Sequence, residues 1–576
     1  MKNYLTELKI IFSILPNKLL KRMRLLLLML SFSGFLESLG IGLFIPVIAI
    51  ITEKKVNFPF LNNFYDLSKI EINDVLILMI GLIFLVYLVK SIFLSYLEFG
   101  IQKLTNDTRV ELTSILFKKY INSSYKFHLK KNSSILLRNL TTEVVAFTNG
   151  VIGPILILAK EFFIIVFIIS LLFIFDYKIS IFTFSFGLVL IFSVRKILKK
   201  LLYSLATITM EKRGEANKII LESLQGIKFI KSYNIEENFI ERLIKNLKVT
   251  AKAKTQETAI KSMPRIWIEL LVLIILSIVG FYFFIFDISL NSYLSFISLF
   301  LIAMLKMLPS FLSAIRTING YQSYKPSIDF IKRELDEKVD YSELKKEASK
   351  KIEVEFDKEL IIDKISFKYE GQKQNIIENL NLKINKTGQL IGILGDSGSG
   401  KTTLIDILIG LHNPHKGEFY LDNNLVELKL IRGRIFGYVP QFIYLFDESI
   451  KNILIADNRK ISDEDYKQVL DQCDLTEFID SLPEGDQTLI GENGAKISGG
   501  QRQRIGLARA LVNEAKILIL DEATNALDKR TETNIFSTLK KISLKKSILI
   551  ITHNQNLLNY CDKIYSLKNG SLQQEK

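Results

Sequence analysis

Runs of twenty or more apolar residues decide what this chain can be. Between Leu25 and Ile51, Glu37 is the single charged residue. About twenty such residues cross the hydrocarbon core of a bilayer as a helix. Five further runs follow, at about 75–99, 151–175, 179–198, 264–286 and 290–312. The pattern predicts six transmembrane helices, an even number that returns both ends of the segment to one side. Lys18, Lys21, Arg22 and Arg24 precede the first run and place that side in the cytoplasm. The connections near 175–178 and 286–291 are short and lightly charged, so they face outward. Stretches 100–150 and 199–262 are long, lysine-rich and helical in period, and predict spans that continue as helices into the cytoplasm. The first run is too long for a cleaved signal peptide.

Other features bound the alternatives. A chain of 576 residues exceeds one core and implies more than one domain. Its net charge of +15 fits either nucleic-acid binding or a membrane protein with basic cytoplasmic loops, and the six spans argue against the first. Cys473 and Cys561 lie in the polar half at no metal-ligand spacing and read as reduced thiols. Between the first two spans, Phe60, Leu61, Phe64, Tyr65 and Leu67 fall largely on one helical side. That is either a short amphipathic helix on the outer membrane surface or an ordinary loop with a few buried aromatics. The expected division is a transmembrane domain over 1–331, a charged linker over 332–351 and a soluble α/β domain over 352–576. In the last, β-branched runs at 390–394, 517–520 and 548–551 read as central parallel strands.

The α/β half carries the chemistry. The strand expected at 390–394 runs into Gly395, Asp396, Ser397, Gly398, Ser399 and Gly400, and then a helix opens with Lys401, Thr402 and Thr403. This is a P-loop: glycines let backbone N–H groups point at phosphate oxygens, and the helix offers them its positive end. Lys401 reaches the terminal phosphates, and the Thr402 hydroxyl is placed to ligate Mg²⁺. A glycine turn before an ordinary helix is the plainer alternative, disfavoured by the strand–turn–helix setting. Downstream, four apolar residues end in Asp521 and Glu522. At a strand end this suits a metal-holding acid followed by a carboxylate that polarises the attacking water. His553 falls at the end of the next expected strand, where ligands collect in open parallel sheets.

Ile497-Ser-Gly-Gly-Gln-Arg-Gln-Arg resembles the signature of the ABC transporter ATPases, with Ile where Leu is usual. Further elements match that family in order. Tyr369 stands where its adenine-stacking aromatic falls. Gln441 in Tyr-Val-Pro-Gln matches the glutamine that ligates Mg²⁺ and senses the membrane domain. Glu492 matches the acid before the signature, and Asn525-Ala-Leu-Asp528 the loop after the catalytic strand. His553 matches the switch histidine. The resemblance implies an ATPase using Mg²⁺, with Glu522, His553 and Gln441 catalytic and with Thr402, Gln441 and Asp521 at the metal. It also implies that Ser498, Gly499, Gly500 and Gln501 bind the ATP held by a second subunit. Six spans ahead of one such domain resemble an exporter half-transporter, working as a homodimer in a bacterial cytoplasmic membrane.

Cargo is read from the membrane half. Charged residues inside spans are costly and default to a functional hypothesis. Lys90, Arg265, Lys306 and Arg316 form a candidate basic belt for an anionic headgroup, although Lys90 can instead pair with Glu37 and Arg265 with Glu269. Glu37-Ser-Leu-Gly-Ile-Gly-Leu-Phe-Ile-Pro, Met263-Pro-Arg-Ile-Trp-Ile-Glu and Met307-Leu-Pro-Ser resemble the lipid-linked oligosaccharide flippases of bacterial N-glycosylation. That likeness implies a polyprenyl-pyrophosphate-linked glycan as cargo, with Arg265 and Arg316 on matching positions. Lys90 and Lys306 stand where those proteins carry Arg, losing its two-pronged grip on phosphate. A general lipid exporter, for a lipid A-like molecule, or a multidrug exporter is the alternative.

Overall fold

The computed structural model describes residues 11–12, 14–44, 47, 72–175, 177–285, 290–336, 356–428, 435–455, 461–491, 494–512, 515–522, 529–553 and 558–575. The amphipathic stretch at 57–68, Glu492 and the 525–528 loop lie outside them. Two compact units form. The first comprises Met1–Ser123 and His128–Tyr341; the second comprises Ser124–Phe127 and Ser342–Lys576.

The first unit is helical. Its long helices are α1 (Asn17–Gly42), α2 (Ile72–Ile121), α3 (Gly153–Phe175), α4 (Tyr177–Gln225), α5 (Glu236–Ile285) and α6 (Leu290–Asp336). Among the described residues, Asn17–Gly42, Leu76–Ile121 and Ser133–Leu171 are long and apolar enough to cross a membrane. Helix α2, which holds one of these, runs 50 residues and continues as a single helix into the charged stretch beyond it; α5 also runs 50 residues. α1 packs on α3, α4 on α5, and α6 on both α3 and α4. Helix α6 runs on to Asp336, inside the segment expected as linker.

The start of the third span departs from a plain α-helix. Asn139–Glu143 and Thr148–Ile152 are π-helical turns. Such turns cost hydrogen-bond geometry and persist where surrounding contacts fix them. Here Gly150 lies so close to Tyr324 of α6 that a Cβ would sit 2.1 Å from the ring. Glu143, buried, accepts a hydrogen bond from Ser327 Oγ of α6 at 2.8 Å. Two turns further along α6, Glu334 is gripped from three directions. Tyr120 Oη donates to its carboxylate at 2.9 Å, Lys131 Nζ reaches it at 3.1 Å, and Lys119 Nζ donates to its carbonyl. Asn139 Nδ2 in turn donates to Tyr120 Oη at 3.0 Å. These groups are buried or nearly so, and a buried polar group left without its partner costs about 1–3 kcal/mol.

The second unit is built on two sheets. Strands β1 (Glu359–Phe367), β2 (Ile377–Asn385), β3 (Leu390–Leu394), β4 (Lys416–Leu421), β5 (Asn424–Leu425), β6 (Phe436–Val439), β7 (Ile517–Asp521), β8 (Ser547–Ile551), β9 (Lys563–Lys568) and β10 (Ser571–Gln574) occur in chain order. A four-stranded sheet runs β2-β1-β4-β5, all antiparallel. The other runs β10-β9-β3-β8-β7-β6, parallel throughout except for the β9–β10 pair. Every residue of β7 and β8 is buried, which is why they read as unbroken apolar runs. Alternate side chains feed two cores. Ile391, Ile393, Ile517, Ile519 and Leu549 face α7 (Lys401–Leu408) and the small sheet; Leu390, Leu518, Leu520, Ile548 and Ile550 face α8 (Gly499–Val512) and α9 (Lys529–Ser543).

The Tyr120–Glu334 contact is expected to be cooperative. Tyr120→Phe and Glu334→Gln should each lower the melting temperature of the purified protein. The pair in a double-mutant cycle should show a coupling of about 0.5–3 kcal/mol. Strict additivity would mean that the contact contributes nothing.

Candidate functional site

Strand order brings the site together. β3, β8, β7 and β6 are adjacent and parallel, so the residues following each of them emerge at one edge. From β3 comes the P-loop, from β8 His553, from β7 Asp521 and Glu522, and from β6 Gln441. Ligand sites of open α/β sheets form at this carboxyl edge.

The P-loop closes on itself through Lys401. The buried ammonium donates to Gly395 O at 2.7 Å and Asp396 O at 2.9 Å. Both acceptors are neutral carbonyls, so neither neutralises the ammonium, whose charge also acts on Asp521 nearby. Gly400 adopts φ 101°, a left-handed conformation that a side chain would strain. Asp396, Ser397 and Gly398 are exposed, whereas Ser399 Oγ is buried with no hydrogen-bond partner. An orphaned hydroxyl beside a lysine inside a turn of amides fits a phosphate that would take up those donors. Thr402 is exposed at the helix start, and Thr403 is buried with its Oγ1 3.2 Å from Tyr369 Oη.

The three residues expected to be catalytic meet at one carboxylate. Gln441 Nε2 donates to Glu522 Oε2 at 2.7 Å, and His553 Nε2 lies 2.9 Å from Glu522 Oε1. Glu522 adopts φ 48°, rare for a residue with a side chain, at the point where β7 ends. Strain of this kind is stored where a side chain must be aimed. Gln441, expected as a metal ligand, is engaged here with the carboxylate. Asp521 is buried, and burial together with the charge of Glu522 raises its pKa. A divalent cation would relieve that acid, so Asp521 and Thr402 fit the magnesium role. Tyr438, missed from the sequence, points its hydroxyl to Asp521 Oδ2 at 3.5 Å. Periodicity places Tyr438 in a strand but does not reveal which strand lies alongside.

The signature residues form a reciprocal cap. Ser498 N donates to Gln501 Oε1 at 2.8 Å, and Gln501 N donates to Ser498 Oγ at 3.2 Å. This capping box fixes the start of α8, where Ser498 and Gly499 are exposed. The helix thus presents its positive end to solvent, ready for an anion.

In the membrane half the four cations differ. Lys90 is buried, 2.6 Å from Glu37 and 4.6 Å from the centre of the Tyr87 ring. The pairing weighed as an alternative for Lys90 is thus formed, and its charge is answered by a carboxylate. Arg316 of α6 is exposed. Arg265 lies in α5 and Lys306 in α6, and their side chains fall outside the described residues.

Comparison with known families agrees with this geometry. The family described as ABC transporter transmembrane region matches residues 23–307, and the ABC transporter family matches residues 377–525. The chain belongs to the ABC transporters. This ABC half-transporter has the fold of a bacterial Atm1-family ABC exporter solved with ATP bound, with a TM-score of 0.77 and 20% identity over 97% of this chain and 96% of that one. An ATP-dependent lipid A-core flippase of Syntrophus aciditrophicus is 27% identical over 505 residues, 86% of this chain and 81% of that protein. One from Idiomarina loihiensis is 36% identical over 218 residues, and one from Vibrio vulnificus 38% over 218. Those two matches span 37% of the relatives' length.

Replacing Glu522 by Gln keeps the size of the side chain and one of its two oxygen acceptors, and removes its charge and basicity. Turnover is expected to fall by at least about 100-fold, the usual worth of a general base, with ATP affinity nearly unchanged. Steady-state hydrolysis beside nucleotide-binding titration measures both, and wild-type turnover in this variant would remove Glu522 from the role.

Proposed function

We propose that this chain is one half of an ATP-driven flippase that carries a phosphate-bearing glycolipid from the inner to the outer leaflet of a bacterial cytoplasmic membrane. The convergence of Gln441 and His553 on Glu522 carries the hydrolytic part of this reading. A carboxylate held by two side chains beside a P-loop can orient water for attack on a terminal phosphate. Mg²⁺ would be held by Thr402 and Asp521, with Gln441 exchanging between Glu522 and the ion. When bound, the ion supplies charge neutralisation on the transferred phosphate.

The working assembly in this proposal is a homodimer. One chain carries one P-loop and one signature helix, and Ser498, Gly499, Gly500 and Gln501 serve the nucleotide on the other subunit. The exposed start of α8 supports this, because an uncovered helix N-terminus is a site for an anion brought by a partner. The nucleotide units then lie on the cytoplasmic side.

For the cargo, the relatives named lipid A-core flippases favour a lipid A-like molecule. That ranks the alternative drawn from the sequence above its leading expectation, a polyprenyl-pyrophosphate-linked oligosaccharide. The second reading retains one support, the likeness of the Met263-Pro-Arg265 and Met307-Leu-Pro-Ser stretches to oligosaccharide flippases. Both cargoes place phosphate on a glycolipid, which is the chemistry a cationic cavity recognises. With Lys90 paired, the belt rests on Arg265, Lys306 and Arg316.

Proteoliposomes loaded with either labelled lipid separate the two. The lipid A-like substrate is expected to be flipped in an ATP-dependent manner and the polyprenyl-linked glycan poorly. The Arg265→Gln/Arg316→Gln variant should lose flipping and retain basal hydrolysis. Flipping at the wild-type rate in that variant would remove the cationic belt, and drug efflux without lipid movement would replace the flippase by a multidrug exporter.

A further inference from the structure

Behind the P-loop helix lies an aromatic cluster that the hydrolytic chemistry does not use. His412 follows α7, with its backbone N–H donating to Asp406 O at 3.2 Å. Its side chain is 7% exposed, and Nε2 has no hydrogen-bond partner, the nearest carboxylate oxygen being Asp406 Oδ2 at 4.0 Å. Burial lowers the pKa of the ring and keeps it neutral. A neutral imidazole so enclosed acts through its faces and edges.

Those faces and edges are well occupied. The His412 ring stacks on Phe367, with centroids 5.1 Å apart and planes at 24°. It meets Tyr369 edge to face at 5.5 Å and 87°. Phe367 also meets Tyr369 edge to face, at 5.2 Å and 84°. Tyr125, from the short segment belonging to this unit, packs on His412 at 5.8 Å. Tyr369 is therefore held at three points: His412, Phe367 and the hydroxyl of Thr403 in the P-loop helix. A half-exposed tyrosine would otherwise change rotamer on the picosecond to nanosecond scale. Fixing it beforehand removes an ordering cost from binding.

We propose that His412 is a positioning residue for the nucleotide base, holding the Tyr369 ring in the attitude that stacks on adenine. This rests on the reading of Tyr369 as the stacking residue. The arrangement also ties base to phosphate: Thr403 belongs to the helix that carries Lys401, so the base platform and the phosphate turn share one support. Asp406, the acid nearest the ring, is pushed up to about 6 by burial and the charge of Asp521, and takes no part in the proposal.

Three variants and two ligands test it. His412→Leu keeps the buried volume and removes the ring, His412→Phe keeps a ring, and Tyr369→Ala removes the platform. For each, KM and kcat for ATP are measured in nanodiscs, together with the inhibition constant of inorganic tripolyphosphate, which has no base. His412→Leu is expected to raise the KM for ATP about 3- to 10-fold, the worth of one aromatic contact, with kcat within about twofold. The tripolyphosphate constant should stay unchanged, and His412→Phe should restore the KM. Tyr369→Ala should raise the KM for ATP at least as much. If Tyr369→Ala raises it and His412→Leu does not, the positioning role is overturned. A parallel rise for tripolyphosphate would mean general damage to the P-loop and would overturn it too. If Tyr369→Ala itself leaves the KM unchanged, the stacking role of Tyr369 fails, and the role of His412 with it.

Discussion

One carboxylate organises the nucleotide unit. Glu522 stands just past the end of β7 in a backbone conformation that a side chain resists, and Gln441 and His553 hold it from either oxygen. Three strands must lie side by side for this to occur, each ending at the same level. The unbroken burial of β7 and β8 guarantees that, because a shift of one residue would turn alternate side chains into the wrong core. The chemistry of the edge is thus secured by packing in the middle of the sheet.

Where function is carried by local chain geometry, it was legible. The P-loop needs a strand, a glycine turn and a helix, all contiguous, and it is found at 390–408 as expected. The signature is legible for the same reason: Ser498 and Gln501 stand three residues apart and cap each other. Lys90 is intermediate. A buried cation needs an acid, and Glu37 was the acid within the first span, so the pair could be named as an alternative but not chosen over a free site.

Features made by distant segments were not legible. Tyr120 and Glu334 lie more than two hundred positions apart in the chain, and nothing in either neighbourhood announces the other. The π-helical turns at Asn139–Glu143 and Thr148–Ile152 depend on Ser327 and Tyr324 reaching across from α6. His412 carries no motif, and its importance comes from the aromatic faces that tertiary structure turns toward it. Single-chain periodicity reports which face is apolar, not what presses against it.

The grip on Glu334 has a mechanical meaning. A long helix usually ends in a frayed turn that yields when the chain beyond it is tugged. In α6 the last turns are fastened to Tyr120, Lys119 and Lys131, so they cannot unwind independently. Displacing the end of α6 would therefore strain its contacts with Tyr120 and Lys119 at the end of α2. The helix end is thus a fixed point rather than a loose one, joined to a helix more than two hundred residues earlier in the chain.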